Sequence, residues 1–422
     1  MITTLKRLRS RAADLLGLDQ MDARFNILAA NYVFLMMYYT LESVFVNTLL
    51  YRISPEMGIV IRYRAVVFLF TAVSVNVAAY FCKRFSPVLV IRLAGLSYIL
   101  MYILLFVGLD HMDRLMYPVA ILSGSGIGFY FGGHNMLLTQ YTNRANRAMG
   151  VSILGVAQGA MTLLVPVVSG FVISLLPGNA GYRTMFGIGM LVVLLQGRLQ
   201  KKLAPVEQKK KTSELKLALK LIWRKSTCKM MLAFEIVRGF RDGTFAFFLN
   251  MVLFEIITQE SLVGINTFFT GIMTIFGSWA YGKMAGPGKR VGYALLSTTI
   301  LLAGCVSMFW FASAATVMIF SAVNAFAHLF IGYTANTFSF DVMSQNETMR
   351  RCLAEMSALR ESAITLGRLA GLFVLTLFPD TLEGYVWAMC VLTVSQYLAV
   401  WLIKLTKDTL DRKQVKRISK IN

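Results

Sequence analysis

Apolar runs long enough to cross a membrane recur twelve times along the chain, at about 27–50, 58–81, 87–108, 115–141, 149–176, 182–198, 230–257, 261–283, 291–312, 314–343, 355–378 and 382–404. About twenty apolar residues in a helix span the roughly 30 Å hydrocarbon core of a bilayer. Backbone polar groups have no water to turn to there, so each run is predicted to be a helix. The connections are mostly short, which makes neighbouring helices antiparallel. A single long connection, residues 199–229, separates six runs from six. The pattern therefore divides the chain into an N-terminal segment (1–26), a six-helix bundle (27–198), a basic linker (199–229), a second six-helix bundle (230–405) and a basic tail (406–422). Within the linker, Ser213 followed by LKLALKLIW predicts a short amphipathic helix lying on the membrane surface.

Lysine and arginine alternate between the two sides of these spans. One side receives Lys6, Arg7, Arg9 and Arg11, then Lys83/Arg84, Arg144/Arg147, the linker, Lys283/Lys289/Arg290, Arg350/Arg351 and the Lys404–Lys420 tail. The other receives Arg52, Arg114 and Arg183 among Glu56, Asp110, Asp113, Glu260, Asp380 and Glu383. Basic loops stay cytoplasmic, so both termini are predicted to lie in the cytoplasm of a multi-pass protein of the cell membrane. The net charge of +21 is accounted for by this topology and by an anionic leaflet, with no need of a nucleic-acid partner. Only 15% of residues are charged and 57% are hydrophobic, well away from the roughly one quarter charged of soluble domains.

Composition also bounds the chemistry. Cys82, Cys228, Cys305, Cys352 and Cys390 are scattered singly, without metal-ligand or redox spacing, so neither a disulfide framework nor a zinc site is expected. No apolar core ending in small residues follows the first basic residues, as a cleavable signal peptide would require. The glycine-rich stretch Ser123–Gly133 is not followed by Gly-Lys-Ser/Thr, and its small residues four apart suit close helix packing rather than phosphate binding. No hydrolase triad or cofactor ligands emerge; the protein is not expected to be an enzyme or to carry a cofactor.

The two halves echo each other. FVNTLLYRI (Phe45–Ile53) matches FLNMVLFEI (Phe248–Ile256), and a shift of 202 residues pairs Ser169–Val172 with Gly371–Val374. That register sets Gln158 opposite Arg360 and His134 opposite Asn336. A duplicated six-span unit is the pattern of parallel-repeat transporters. With its basic linker and cytoplasmic termini, the chain resembles the major facilitator superfamily over about residues 25–405. The family's loop motif, Gly-x-x-x-Asp-Arg-x-Gly-Arg-Lys/Arg, is approximated by GKMAGPGKR, with Gly282, Gly288, Lys289 and Arg290 in place and Gly286 where the acid should be. Its first copy keeps only Lys83 and Arg84. The resemblance implies gating by these residues, an all-α fold of two pseudo-symmetric six-helix bundles, a monomer, and a central cavity lined by spans 1, 4, 7 and 10.

Charged residues inside spans cost about 2.5–3.5 kcal/mol each at the bilayer centre and persist where they face a polar interior. In the seventh run Glu235, Arg238 and Asp242 are spaced i, i+3, i+7 on one helical face, with Arg241 beside them. Span 1 offers Asn31, Tyr38, Tyr39 and Glu42; span 10 offers Asn324, His328 and Asn336; span 11 offers Arg360, Glu361 and Arg368; His134 and Gln158 lie in spans 4 and 5. A balanced ion-pair network that only locks packing accounts for much of this. The sharper expectation is proton coupling through Asp242, Glu42 and Glu235. Desolvation opposes ionisation of a buried carboxylate and a nearby guanidinium favours it, and alternating access changes both. The remaining residues would bind a small or amphipathic substrate, and the arginines favour one with an anionic group. Drug efflux, lipid or glycolipid flipping and a non-transporting sensor stay open as alternatives.

Overall fold

The computed structural model describes residues 17–53, 57–203, 213–256, 260–286, 288–374, 377–379 and 381–418. Lys6, Arg7, Arg9, Arg11, Glu56, Asp380 and Lys420 lie outside these residues, as do the side chains of Arg52, Glu260 and the Asn47/Asn250 pair. The first half comprises α1 (Ala23–Ile53), α2 (Met57–Arg84), α3 (Pro87–Val107), α4 (Met112–Tyr141), α5 (Arg147–Leu175) and α6 (Ala180–Leu199). The linker carries α7 (Leu215–Arg224). The second half follows with α8 (Ser226–Asp242), α9 (Phe245–Ile256), α10 (Glu260–Met284), α11 (Arg290–Ser307), α12 (Ala314–Met343), the short α13 (Glu347–Arg351), α14 (Leu353–Val374) and α15 (Leu382–Ile418). Local chemistry sets several starts. Ser86 accepts from the Leu89 N–H with Pro87 in the first turn, and Ser313 does the same for Thr316.

Two elements differ from the sequence expectation. The seventh span is not one helix: α8 ends at Asp242, and α9 begins at Phe245 after Gly243 and Thr244. Packing explains the break, because a Cβ at Gly243 would lie 2.8 Å from the Arg368 Cβ of α14. The last helix runs unbroken through 406–418, so the tail continues span 12. Among the described residues seven helices meet a length-and-apolarity test for spanning a membrane. α1, α6, α10, the broken seventh span and α14 fall outside it; in the last two, Asp242, Arg360, Glu361 and Arg368 face a cavity within the protein.

Helix pairing repeats between the halves. α2 packs on α4, α3 on α4, α1 on α5 and α6, and α3 on α6. Correspondingly, α10 packs on α12, α11 on α12, α8 on α14 and α15, and α11 on α15. The halves meet chiefly through two symmetry-related contacts, α5 on α10 and α2 on α14, with smaller ones of α5 on α12 and α4 on α14. Glycines permit the tightest crossings, as the small-residue spacing predicts: a Cβ at Gly367 would stand 2.0 Å from the Ile236 carbonyl oxygen. This duplicated pairing is the pseudo-symmetric arrangement read from the repeated segments.

Candidate functional site

Between the halves lies a cavity of about 610 Å³. Its wall takes Tyr32 and Tyr39 from α1, Arg64 and Phe68 from α2, His134 and Asn135 from α4, and Gln158 from α5. From the second half come Arg238 and Asp242 of α8, His328, Tyr333 and Asn336 of α12, and Arg360, Glu361 and Arg368 of α14. Spans 2, 5 and 11 therefore share the wall with 1, 4, 7 and 10.

One charged cluster is built on Glu235, which is wholly buried. Its Oε1 accepts from Arg360 Nε at 2.6 Å and from Ser339 Oγ at 2.5 Å. Its Oε2 lies 3.0 Å from Arg238 Nε, an ion pair too oblique for a hydrogen bond. Arg238 donates from Nη1 to Asn336 Oδ1 at 2.7 Å and lies 3.6 Å from Asp242 Oδ2. Arg360 donates to Glu361 Oε1 at 2.7 Å and also to Asn336 Oδ1. Asn135, from the other half, donates to the same Glu361 oxygen at 2.9 Å. The i, i+3, i+7 face of the seventh run thus meets span 11 through the arginine that the repeat register set opposite Gln158.

A second cluster is built on Glu42. It does not border the cavity; its Oε1 accepts from Tyr63 Oη at 2.6 Å and from Ser123 Oγ at 3.2 Å. Arg64, beside it, reaches the cavity wall and donates to Ser43 Oγ at 3.1 Å. Arg64 was missed in the sequence, although the signal was the one that singled out Glu42: a charge inside an apolar span. Arg368 faces the cavity with its guanidinium carbon 5.5 Å from the centroid of the Phe68 ring, across the two halves. Among the described residues it makes no hydrogen bond or ion pair.

Several expected wall residues are placed elsewhere. Arg241 turns away from the cavity, donating to Asn324 Oδ1 at 2.7 Å and stacking 3.8 Å from the Phe245 ring centroid. One helical step of about 100° from Asp242 is enough to send it behind the wall. Asn324 follows it. Tyr38 donates to Gln196 Oε1 at 3.1 Å, and Asn31 accepts from Tyr130 Oη at 3.1 Å, both as buried packing between α1 and its neighbours. Tyr32, Gln158 and His134 do meet at the wall: Tyr32 donates to Gln158 Oε1 at 3.3 Å, and its ring lies 5.3 Å from that of His134.

The end of the bundle carrying the basic loops is closed by ion pairs between the halves. Lys83 Nζ lies 2.8 Å from Glu355 Oε1 and donates to the Arg351 carbonyl at 2.6 Å. On the opposite side of the interface Asp341 binds Arg147 of α5 and lies 3.5 Å from Arg290 Nη1. Arg290 Nη2 also donates to the Arg144 carbonyl at 3.2 Å. The acid missing at Gly286 is thus supplied from the end of α12. Gly282 lets α10 approach Ser152, whose Oγ donates to the Ser278 carbonyl at 2.5 Å. Arg84 and Lys289 are exposed beside these pairs, and Gly288 accepts from Lys407 Nζ through its carbonyl.

A sequence model of the Major Facilitator Superfamily matches residues 28–372, and the chain belongs to that family. It is 22% identical over 374 residues to the uncharacterized protein YqgE of Bacillus subtilis, covering 86% of this chain and 85% of that one. Among solved structures it is similar to the E. coli fucose:proton symporter FucP in the outward conformation, at TM-score 0.72 and 12% identity, covering 91% of this chain and 98% of that one. It is also similar to the human organic anion transporter MFSD10, at TM-score 0.65 and 15% identity, covering 92% and 97%. The protein is a multi-pass membrane protein with the fold of a transporter.

Proposed function

We propose that the protein is a secondary transporter of the cell membrane that moves a small, amphipathic anion by alternating access, coupled to protons. One observation carries this: a cavity between two six-helix halves, walled by four arginines and two carboxylates and shut at one end by ion pairs. The lysine and arginine distribution supports a cytoplasmic position for that end. In this assignment Arg368 grips the anionic group, since its charge has no acidic partner among the described residues and a guanidinium binds carboxylate or phosphate bidentately. Phe68, Tyr32 and Tyr333 pack against the apolar part of the substrate. Asp242 is the first proton carrier. It borders the cavity, its side chain is 25% exposed, and at 3.6 Å its link to Arg238 is loose. Glu42 and Glu235, behind arginines, set the charge of the wall. Organic anion transport and proton symport, the activities named for the two structural relatives, are compatible with it.

The test is proton flux in proteoliposomes loaded with a pH-sensitive dye, challenged with pooled anionic metabolites, cationic amphiphiles and glycolipid precursors. Flux driven by an anion and abolished by Asp242→Asn is the expected result. Anion uptake that proceeds without proton flux, or that survives Asp242→Asn unchanged, overturns the coupling. A response to amphiphiles or glycolipids alone replaces the substrate class with efflux or flipping. For the anion, Arg368→Ala is expected to raise the half-saturating concentration about 10- to 100-fold, the worth of one charged hydrogen-bonding group. Titrating uptake against substrate concentration measures it, and an unchanged value removes Arg368 from the site.

A further inference from the structure

The linker helix α7 presents three separate faces. Ala218 and Leu221 are buried and pack it onto the second half, against α8 and α14. Leu215, Leu219 and Trp223, at i, i+4, i+8, form an outward apolar stripe exposed by 45%, 43% and 77%. Lys216, Lys220 and Arg224 repeat the same spacing one position on and are all exposed. An apolar stripe flanked by a basic one suits the boundary between acyl chains and anionic headgroups, with the rings and leucines seated below and the cations in the phosphate layer. Water alone would leave the leucines and the tryptophan hydrated, and a neutral leaflet would leave three cations without counter-charge.

The start of α7 is tied to the gate. Glu355 Oε1, the atom that pairs with Lys83, also accepts from the Glu214 backbone N–H at 2.8 Å and from Ser213 Oγ at 3.4 Å. Arg351 donates to Glu214 Oε1 at 2.8 Å, and its carbonyl accepts from Lys83. Lys83 belongs to the first half, while every other member of this node belongs to the linker or the second half. The position of the α7 N-terminus therefore fixes the carboxylate that Lys83 must find for the end to close.

We propose that α7 is a docking surface for anionic phospholipid headgroups and that its contact with the leaflet holds the Lys83–Glu355 latch shut. The proposal rests on the topology above, with the basic end at the cytoplasmic leaflet, and is independent of which solute is carried. Leaflet charge would then bias the protein toward the state closed on that side, whatever the substrate.

The full chain reconstituted in phosphatidylcholine, with or without phosphatidylglycerol, tests both parts. Quenching by brominated acyl chains, taken as the difference between the parent and Trp223→Phe, reports seating of the stripe. Nitroxides at Arg84→Cys and Lys289→Cys report the distance across the basic end. Phosphatidylglycerol is expected to deepen the Trp223 quenching and to raise the ratio of short to long distances by up to about five-fold for each basic residue that leaves the headgroups when the end opens. Lys216→Gln/Lys220→Gln/Arg224→Gln should abolish both responses while leaving thermal stability unchanged. Trp223 quenching that is equal in the two lipids, or insensitive to the triple variant, overturns the docking surface. Lipid-dependent quenching with an unmoved distance distribution overturns the link to the latch. Loss of proton flux with both responses intact would sink the transport assignment alone.

Discussion

Glu235→Gln is expected to be the most destabilising single change in the membrane-embedded part of the protein. Glu235 has no exposed surface, and its two oxygens face Arg360 at 2.6 Å and Arg238 at 3.0 Å. A neutral amide keeps the volume and one acceptor but removes the charge that both guanidiniums are held against. Breaking a buried pair by removing one partner costs about 3–5 kcal/mol, because the surviving charge cannot be rehydrated. Glu361 and Asp242 stay in place, yet each pairs with only one of the two guanidiniums, Glu361 with Arg360 at 2.7 Å and Asp242 with Arg238 at 3.6 Å, and neither bridges them. The midpoint of thermal unfolding in detergent, followed with the yield of monodisperse protein, measures the loss. Glu235→Gln combined with Arg360→Gln should recover part of it, since a neutral pair is cheaper to bury than a lone charge. A single variant that melts with the parent would show that Glu235 is not the bridge. Asp242→Asn should cost less, about 1 kcal/mol, because its side chain is 25% exposed and stands 3.6 Å from one guanidinium rather than bridging two. Stability thus separates the carboxylate that holds the wall from the one assigned to move a proton.

This division between holding and working residues was only half legible in the sequence. The spans, the six-plus-six division and the repeat could be read because the bilayer leaves the backbone few options, and because duplicated helices keep duplicated neighbours. The stripe Glu235, Arg238, Asp242 could be read because helical periodicity is local. Which arginine would meet Glu235 depends on which helix crosses α8, and that is decided by Gly239 together with Gly367 and Gly371, far apart along the chain. Arg241 was misdirected for the opposite reason: adjacency in sequence to Asp242 says nothing of facing, and one residue turns a side chain from the cavity to Phe245. The break at Gly243 had a local cue, Asp-Gly-Thr within an apolar run, but its cause is the approach of Arg368. The ion pairs closing the basic end were least legible. The family-like loop lacks its acid at Gly286, and nothing nearby announces that Asp341, at the end of another helix, takes over.

Asp341→Asn should open the basic end. Arg147 and Arg290 are each about 1% exposed, and Asp341 is the carboxylate between them, with the Arg144 Nε a further 3.9 Å away. Arg147 comes from the first half, and Arg290 and Asp341 from the second. With asparagine in place, two buried guanidiniums face each other across the interface with their charge uncompensated, and the halves relieve this by parting and letting water in. The Thr142 hydroxyl and carbonyl still accept from Arg147, and the Ala285 carbonyl from Arg290, so each half keeps its own arginine in place. Lys83–Glu355, Arg144–Asp411 and the Arg290 hydrogen bond to the Arg144 carbonyl are then left to hold the interface. An uncompensated buried charge is worth about 3–5 kcal/mol, so the ratio of closed to open protein should fall about 100-fold or more. The nitroxide pair at positions 84 and 289 would report this as a shift of the distance distribution to longer values. Because the strain is electrostatic and shared, Arg147→Gln added to Asp341→Asn should return the distribution toward the closed state, whereas Lys283→Gln, exposed at the same end, should not. A distance distribution unmoved by Asp341→Asn would place the closing energy in the α5–α10 and α2–α14 packing instead, where Gly282 against Ser152 would become the contact to enlarge.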